Sequence, residues 1–298
     1  ARNHMNHGDA HAAQQASPHA VDVARECDDA ELAVFSRLSL GLVAARRGRF
    51  AEAAALFAGV MVAVTVDRVS PIAVGVVYCA VIDACRSLFD ISRAREWTTA
   101  LGRWCATQSN LVAFLGKCSV HRAEIMRITG EWSDALAEAE QACAWCAAQP
   151  SSFKYPAGAA YYELGEIHRL RGDFAAAEDA YRSAREHGQE PEPGLTLLHA
   201  ARGDLELAST KVKRLLDEQH AGVLRATVLH AAVEILTAVG DRTTARAAAD
   251  EIAEISNAYG TTSLRAHAAH ANGAVCLLEG DVHAALAALR EAWMLWQE

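Results

Sequence analysis

Long apolar runs and basic residues are scarce in this sequence. The first shortage argues against a membrane protein, and the second argues against DNA binding by this chain. No stretch of about twenty consecutive apolar residues occurs, so no transmembrane helix is predicted. No cationic start with a following apolar run is visible, and we expect a cytoplasmic protein without membrane contact. The 28 basic residues are outnumbered by 37 acidic ones and form no basic stripe, which DNA binding requires. Any DNA contact must come through a domain absent from this chain.

Recognisable catalytic motifs are also missing. The sequence has no HExxH pair, no phosphate-binding glycine loop before a lysine and no GxSxG nucleophile turn. Thirteen histidines are present; four of them cluster near the beginning, and the rest fall on helix faces one at a time. We therefore predict that the protein is not an enzyme and that it needs no cofactor and no metal ion.

The eight cysteines are scattered, and only Cys143-Ala-Trp-Cys146 forms a close pair. A redox pair places its first cysteine at a helix start, where the thiolate is stabilised, but this pair lies near the end of a predicted helix. We interpret both as small buried packing residues. A zinc site is the alternative, and Cys118 with His121 would be the nearest further ligands in sequence.

Aromatic residues make up only 6% of the chain and prolines number six, whereas hydrophobic residues reach 52%. This alanine-rich composition is typical of helices packed through small side chains, and no segment requires a strand.

An alanine recurs five residues after a turn position: Ala13, Ala53, Ala94, Ala135, Ala177, Ala208, Ala245 and Ala285. The turn positions are Gly8, Gly48, Phe89, Gly130, Gly172, Gly203, Gly240 and Gly280. A period of about 40 residues predicts an all-α solenoid of antiparallel helix pairs.

The segment from Gly158 to Gly188 shows the physical basis of one repeat. Gly172 ends the first helix in the left-handed conformation, and Asp173 begins the second by capping its free amides. The second helix then presents Ala177 and Tyr181 to its partner. The small side chain at Ala177 allows the two backbones to approach closely.

This pattern resembles the tetratricopeptide repeat (TPR), which has Leu-Gly at positions 7–8, glycine near 15, alanine at 20 and a bulky residue at 24. The match is strongest for the units that turn at Gly48, Gly172 and Gly280. It is weaker around Phe89, Gly203 and Gly240, where the Leu-Gly pair is replaced. The resemblance implies a right-handed solenoid in a single domain over residues 1–298, with about seven full repeats and a partial N-terminal one.

Several strings further resemble the central repeat region of large LuxR-type, maltose-activator-like transcription regulators. They are GLVAARRGRFAEAAALF, AAYYELGEIHRLRGDFAAAEDAYRSAREHG, PEPGLTLLHAARGDLELA, LHAAVEILTAVGDRTTARAAADEI and NGAVCLLEGDVHAALAALREAWMLWQE. In that family a helix-turn-helix domain follows the repeats. The resemblance implies a sensory and oligomerisation region, excised from a longer protein, that binds a protein partner or a small effector. The alternative function is a stand-alone TPR scaffold that binds a partner peptide.

TPR arrays bind in a concave groove lined by the first helix of each pair, and the resemblance places ten residues of this chain there. Position 9 is acidic in four units, and position 12 is arginine in three. The predicted groove residues are Asp83, Arg86, Glu124, Arg127, Tyr162, Glu166, Arg169, His230, Glu234 and His270. Each of the three arginines lies three residues after an acid, hence beside it on one helix face. The alternative is a solvated row of ion pairs that contributes little to stability.

Overall fold

The fold was obtained as a computed structural model, which describes residues 29–66, 69–107, 112–148, 154–218 and 223–297, together with residues 23, 26 and 27. Fourteen helices and no strand occur in these ranges, which confirms the all-α class. The helices are α1 (Ala30–Arg46), α2 (Phe50–Val64), α3 (Pro71–Ser87), α4 (Ile91–Thr107), α5 (Val112–Ile128), α6 (Trp132–Ala147), α7 (Lys154–Arg171), α8 (Phe174–Glu186), α9 (Gly194–Ala201), α10 (Leu205–Asp217), α11 (Val223–Ala238), α12 (Arg242–Tyr259), α13 (Thr262–Glu279) and α14 (Val282–Gln297). None of these helices is both long and apolar enough to cross a bilayer.

The chain divides into two compact units, Ala1–Phe114 and Leu115–Glu298. Helices α1 to α4 belong to the first unit, and α6 to α14 belong to the second. The prediction of a single repeat domain over residues 1–298 stays a prediction. The partial N-terminal repeat, with its turn at Gly8 and its alanine at Ala13, lies outside the described residues.

The helices alternate with tight turns at the predicted places. All seven predicted turn positions from Gly48 to Gly280 have positive φ, between 53° and 90°. Phe89 is the one non-glycine residue among them, at φ 53°, and takes the conformation that glycine adopts without steric cost at the other six. The turn predictions are confirmed. They include the turn at Phe89, where the repeat lacks its usual glycine.

The alanine that follows each turn is buried in every case that the structure describes. These residues are at most 2% exposed, and they are Ala53, Ala94, Ala135, Ala177, Ala208, Ala245 and Ala285. Each lies in the first turn and a half of the second helix of a pair. The burial of a small residue at this position agrees with the role that the sequence predicts for it.

A glycine on the first helix faces a large side chain on the second in three helix pairs. A Cβ atom added to Gly41 would lie 2.6 Å from the ring of Phe57, and one added to Gly165 would lie 2.6 Å from the ring of Tyr181. A Cβ atom on Gly273 would lie 2.7 Å from Leu289. Because real Cβ atoms do not come this close, only glycine fits at these positions. The three pairs are those with the strongest predicted match.

Helix packing in the second unit follows the order of the chain. Each second helix of a pair packs against the next first helix, as in α6 with α7, α8 with α9, α10 with α11 and α12 with α13. The first helices also contact one another, as in α7 with α9, α9 with α11 and α11 with α13. In the first unit α3 packs against both α1 and α2. The residues that face outward from neighbouring first helices therefore lie side by side.

Helix α9 has only eight residues, fewer than any other described helix. It follows Pro191 and Pro193, and proline lacks the backbone N–H that a helix interior requires. This short helix accounts for the smallest separation between turn positions, from Gly172 to Gly203. Its Leu198 still packs with Ala177 and Tyr181 of α8, so the helix stack continues through the shortened repeat.

Candidate functional site

All ten predicted groove residues lie on the first helices of pairs. Asp83 and Arg86 are on α3 in the first unit. The other eight are in the second unit: Glu124 and Arg127 on α5, Tyr162, Glu166 and Arg169 on α7, His230 and Glu234 on α11, and His270 on α13. Within the second unit the contacts form two groups, one around Glu166 and one around His230. The convergence of these residues on one ligand-binding groove stays a prediction.

The first group is a buried ion-pair cluster of Arg127, Glu163, Glu166, Arg169 and Tyr181. Arg127 Nε donates to Glu163 Oε2 at 2.8 Å, and Arg127 Nη1 lies 3.9 Å from Glu166 Oε2. Arg169 Nη2 donates to Glu166 Oε2 at 2.9 Å, and the Tyr181 hydroxyl donates to Glu166 Oε1 at 2.5 Å. The cluster joins α5, α7 and α8 through charge-assisted hydrogen bonds, which are stronger than neutral ones.

The charges in the buried ion-pair cluster stabilise one another. Burial of the Glu166 carboxyl opposes its ionisation, but the positive charges of Arg169 and Arg127 outweigh that effect and lower its pKa. Burial likewise disfavours the charged form of Arg127, but Glu163 and Glu166 outweigh it and raise the pKa of the guanidinium. Burial and the adjacent Glu166 carboxylate raise the pKa of Tyr181, so its hydroxyl remains a donor.

Two glycines make space for the Tyr181 side chain and its hydrogen bond. Gly165 lies under the ring of Tyr181, and a Cβ atom on Gly194, the first residue of α9, would come against Glu166 Oε1 and within 2.8 Å of the Tyr181 hydroxyl. The ring of Tyr162 lies 5.9 Å from that of Tyr181, centroid to centroid. Burial and the carboxylate of Glu166 raise the pKa of Tyr162 well above its usual value.

The two arginine–acid pairs on α3 and α7 have the same spacing but different environments. Arg86 Nη1 lies 3.2 Å from Asp83 Oδ1, with side chains 27% and 40% exposed, which fits the solvated alternative. The side chains of Arg169 and Glu166 are only 12% and 8% exposed. A solvated row of ion pairs is therefore not a correct description around Glu166.

Sequence reasoning missed two members of the buried ion-pair cluster. It paired Arg127 with Glu124, three residues earlier, and did not predict the hydrogen bond from Arg127 to Glu163 on the next first helix. It also assigned Tyr181 to packing alone. A signal existed for both residues, because Glu163 follows Arg127 by 36 residues, about one period, and a buried tyrosine hydroxyl requires a partner.

The second group is a histidine cluster of His230, His267 and His270. The ring of His230 lies 4.6 Å from that of His267 and 5.5 Å from that of His270. His267 also contacts Trp296 of α14 edge-on, with ring centroids 4.9 Å apart. Burial, with a smaller contribution from His270, lowers the pKa of His230 to about 4. His270 is exposed, as is Glu234 one turn along α11 from His230.

The cysteine pair is placed as the packing interpretation expects. Cys143 and Cys146 are both buried in α6, each 8% exposed. Burial, with smaller contributions from Cys146 and Glu140, raises the pKa of the Cys143 thiol to about 12. Among the side chains that the structure describes, no three His, Cys, Asp or Glu residues could hold a metal ion together. The side chain of Cys118 lies outside them.

Cys143 should react slowly with thiol reagents in the folded protein. Only the thiolate is nucleophilic, and a thiol of pKa about 12 forms on the order of 10³-fold less thiolate at pH 8 than one of pKa about 9. We expect iodoacetamide to label Cys27, which is exposed, well before Cys143, with the sites quantified by mass spectrometry. Equal labelling rates at the two cysteines would contradict the burial of Cys143.

Comparison with known proteins assigns no family to this chain. No protein-family model matches it, and a search of the curated proteins finds no match. Function is therefore inferred from the residues and geometry of the chain itself.

Proposed function

We propose that this chain is a TPR-like right-handed solenoid of helix pairs that binds a protein partner or a small effector on the surface formed by its first helices. The observation that carries the proposal is the recurrence of one helix-pair design. Each described pair has a positive-φ turn, then a buried alanine five residues later, and the first helices α7, α9, α11 and α13 contact one another in order. Such stacking is how repeat proteins build extended binding surfaces.

The two residue groups in the second unit have different parts in this function. The buried ion-pair cluster is satisfied internally, so it fixes the positions of α5, α7 and α8 and leaves few polar atoms for a ligand. Glu234 and His270 are exposed on the neighbouring helices α11 and α13, and they are available for hydrogen bonds to a ligand. A surface held on packed helices is largely preformed, which lowers the ordering cost of binding.

The wider context that we propose is the sensory and oligomerisation region of a LuxR-type transcription regulator. The five repeat strings that resemble this family support the proposal. The net charge of −9 is consistent with it, since DNA contact would then come from a helix-turn-helix domain outside these residues. The second candidate is a stand-alone scaffold for a partner peptide, which the same repeat design supports. A complete gene product that lacks a helix-turn-helix domain would contradict the regulator proposal.

The binding surface can be tested by a thermal-shift screen of small metabolites and peptides. A ligand that binds the folded state raises the melting temperature by mass action, in proportion to the logarithm of its concentration above Kd. We expect a stabilising ligand to lose its effect in a Glu234→Ala, His270→Ala double variant. It should keep its effect in a Glu254→Ala, His283→Ala double variant.

The control variant removes the same residue types from exposed positions on the second helices α12 and α14. It therefore matches the test variant in charge and composition and differs in the face that is changed. A ligand whose shift survives unchanged in the Glu234→Ala, His270→Ala variant binds elsewhere, and that result would overturn the proposed surface.

A further inference from the structure

Apolar side chains are concentrated on the exposed surface of α14, the last described helix. Five large apolar residues of this helix are exposed, whereas no other helix has more than one among the side chains that the structure describes. Trp293 is 67% exposed, although tryptophan is highly buried on average in folded proteins. The five residues are Val282, Leu286, Trp293, Met294 and Trp296.

Most of these residues belong to one stripe along the helix, which we call the α14 stripe. Its members follow one another at spacings of four, three, four and three residues, the pattern of a coiled-coil seam. They are Val282, Leu286, Leu289, Trp293 and Trp296. Leu289 and Trp296 lie at its edge, where they contact Gly273 and His267 of α13. A different face of α14, which includes Ala285, is buried. The helix is therefore apolar on two faces, and one of them is exposed.

Earlier second helices use a position of this stripe to contact the next helix pair. Six residues after the turn glycine, Glu178 of α8 accepts a hydrogen bond from Arg202, which follows α9, at 2.7 Å. At the same position of α12, Arg246 donates to Glu279 of α13 at 3.0 Å. The sixth residue after the turn that precedes α14 is Leu286. Leu286 therefore occupies a position that contacts a following helix in two earlier pairs.

The position of Trp293 has a similar role in the second unit. It lies thirteen residues after the turn glycine, where α6 has Cys143. Cys143 packs in one hydrophobic cluster with Ala160 of α7, the next first helix. The surface around Leu286 and Trp293 therefore matches a helix-packing surface of the repeat, and a helix is the element that fits it.

The exposed apolar area of α14 is sufficient for a small dimer interface. An aromatic side chain buries about 150–250 Å² when it is fully covered, so the exposed fractions of the five residues correspond to roughly 500 Å² per copy. Two copies that cover these residues mutually bury roughly 1,000 Å², the lower limit for a specific interface. Exposed apolar patches of this size mark interaction sites on folded proteins.

Charge on α14 does not oppose contact between two copies. The whole chain has a net charge of −9, but the α14 stripe consists of apolar residues alone. Between its first and last residues, α14 has one arginine and one glutamate, Arg290 and Glu291. Two copies that meet at this helix therefore bring together no excess of like charge from α14 itself.

We propose that α14 is a dimerisation helix and that its partner is the α14 of a second copy of this chain. The two copies are related by a two-fold axis, so the same stripe serves on both sides of the interface. Identical stripes with coiled-coil spacing pack against each other and remove Leu286 and Trp293 from water.

The dimer interface is separate from the proposed ligand surface. It lies on a second helix, whereas Glu234 and His270 lie on the first helices α11 and α13. It provides a surface for the oligomerisation that the regulator proposal includes, and it rests on that proposal only for its biological role. Dimerisation through α14 therefore requires no ligand.

The dimer can be tested by sedimentation equilibrium of the 298-residue chain. Because a small interface binds with a Kd in the micromolar range, we expect the wild type to change from monomer to dimer between about 1 and 100 μM. In Leu286→Glu and Trp293→Ala variants the dimer Kd should rise at least about 30-fold, the effect of losing a central apolar contact. Both side chains are exposed, so circular dichroism should show wild-type helix content in both variants.

The matched control is Leu207→Glu in α10, which adds the same charge in place of an equally exposed leucine, at 45% against 47% for Leu286. It should keep the wild-type dimer Kd. The Glu234→Ala, His270→Ala variant should keep it too, so the outcome is independent of the thermal-shift screen.

A wild-type chain that stays monomeric up to about 100 μM overturns the proposal and leaves a helix of another protein as the partner of α14. The proposal is also overturned if a folded Leu286→Glu variant dimerises as strongly as the wild type, because the dimer then forms through another surface.

Discussion

A Glu166→Gln variant should be less stable than the wild type by about 3–5 kcal/mol, because the substitution removes one partner of a buried ion pair. The Glu166 carboxylate accepts hydrogen bonds from Arg169 and Tyr181, and it lies near Arg127. Glutamine has nearly the same shape, so the loss measures charge and hydrogen bonding more than packing. Urea denaturation followed by circular dichroism gives the free energy of unfolding.

The control for this prediction is Asp179→Asn in α8. Asp179 pairs with Arg182 at 2.6 Å and at the same three-residue spacing, but both side chains are about two-thirds exposed, at 66% and 64%. Exposed pairs of this kind contribute about 0–1 kcal/mol, so the control should remain close to the wild type. Similar losses in the two variants would mean that the environment of Glu166 is as solvated as that of Asp179.

An Ala177→Leu variant should be destabilised by about 1–3 kcal/mol, the usual range for an overfilled core. Ala177 is fully buried in α8, where it packs with Tyr181 and with Leu198 of α9. Three additional carbon atoms at this position must separate helices that are in close contact. The free energy of unfolding from urea denaturation tests this directly.

Ala175→Leu is the matched control, because Ala175 lies in the same helix two residues earlier and is exposed. Leucine and alanine are both good helix formers, so the control should change stability by no more than about 0.5 kcal/mol. If the two variants lost equal stability, the second helix would not be oriented as described.

The turn and the buried alanine of a helix pair were predictable from the sequence. The turn at Gly172 and the buried alanine at Ala177 depend on residues within a few positions of one another. Their spacing follows from helix geometry alone. The confirmed turn at Phe89 shows that the repeat spacing predicts a turn even where phenylalanine replaces the usual glycine. The side-chain cap predicted at Asp173 was wrong, because the Asp173 carboxylate makes no capping hydrogen bond to the first turn of α8.

Contacts between successive pairs were not predictable in the same way. Glu124 lies at the favourable three-residue spacing from Arg127, and local geometry gave no reason to expect Glu163 as well, because Glu163 becomes adjacent only when α7 packs beside α5. Sequence analysis placed His230 and His270 on one surface, but it did not predict the ring contact of His230 with His267, which is 37 residues away. Burial decides whether such residues form a solvated row or a cluster, and burial depends on neighbouring helices.

The close fit of a glycine against a large side chain suggests how related sequences should vary. A substitution that enlarges Gly41 or Gly273 becomes tolerable when Phe57 or Leu289 becomes smaller, so each pair of positions should change together during evolution. Tyr181 has less freedom, because its ring must fit Gly165 while its hydroxyl must reach Glu166. We expect relatives of this protein to exchange residues at the first two pairs and to retain the third unchanged.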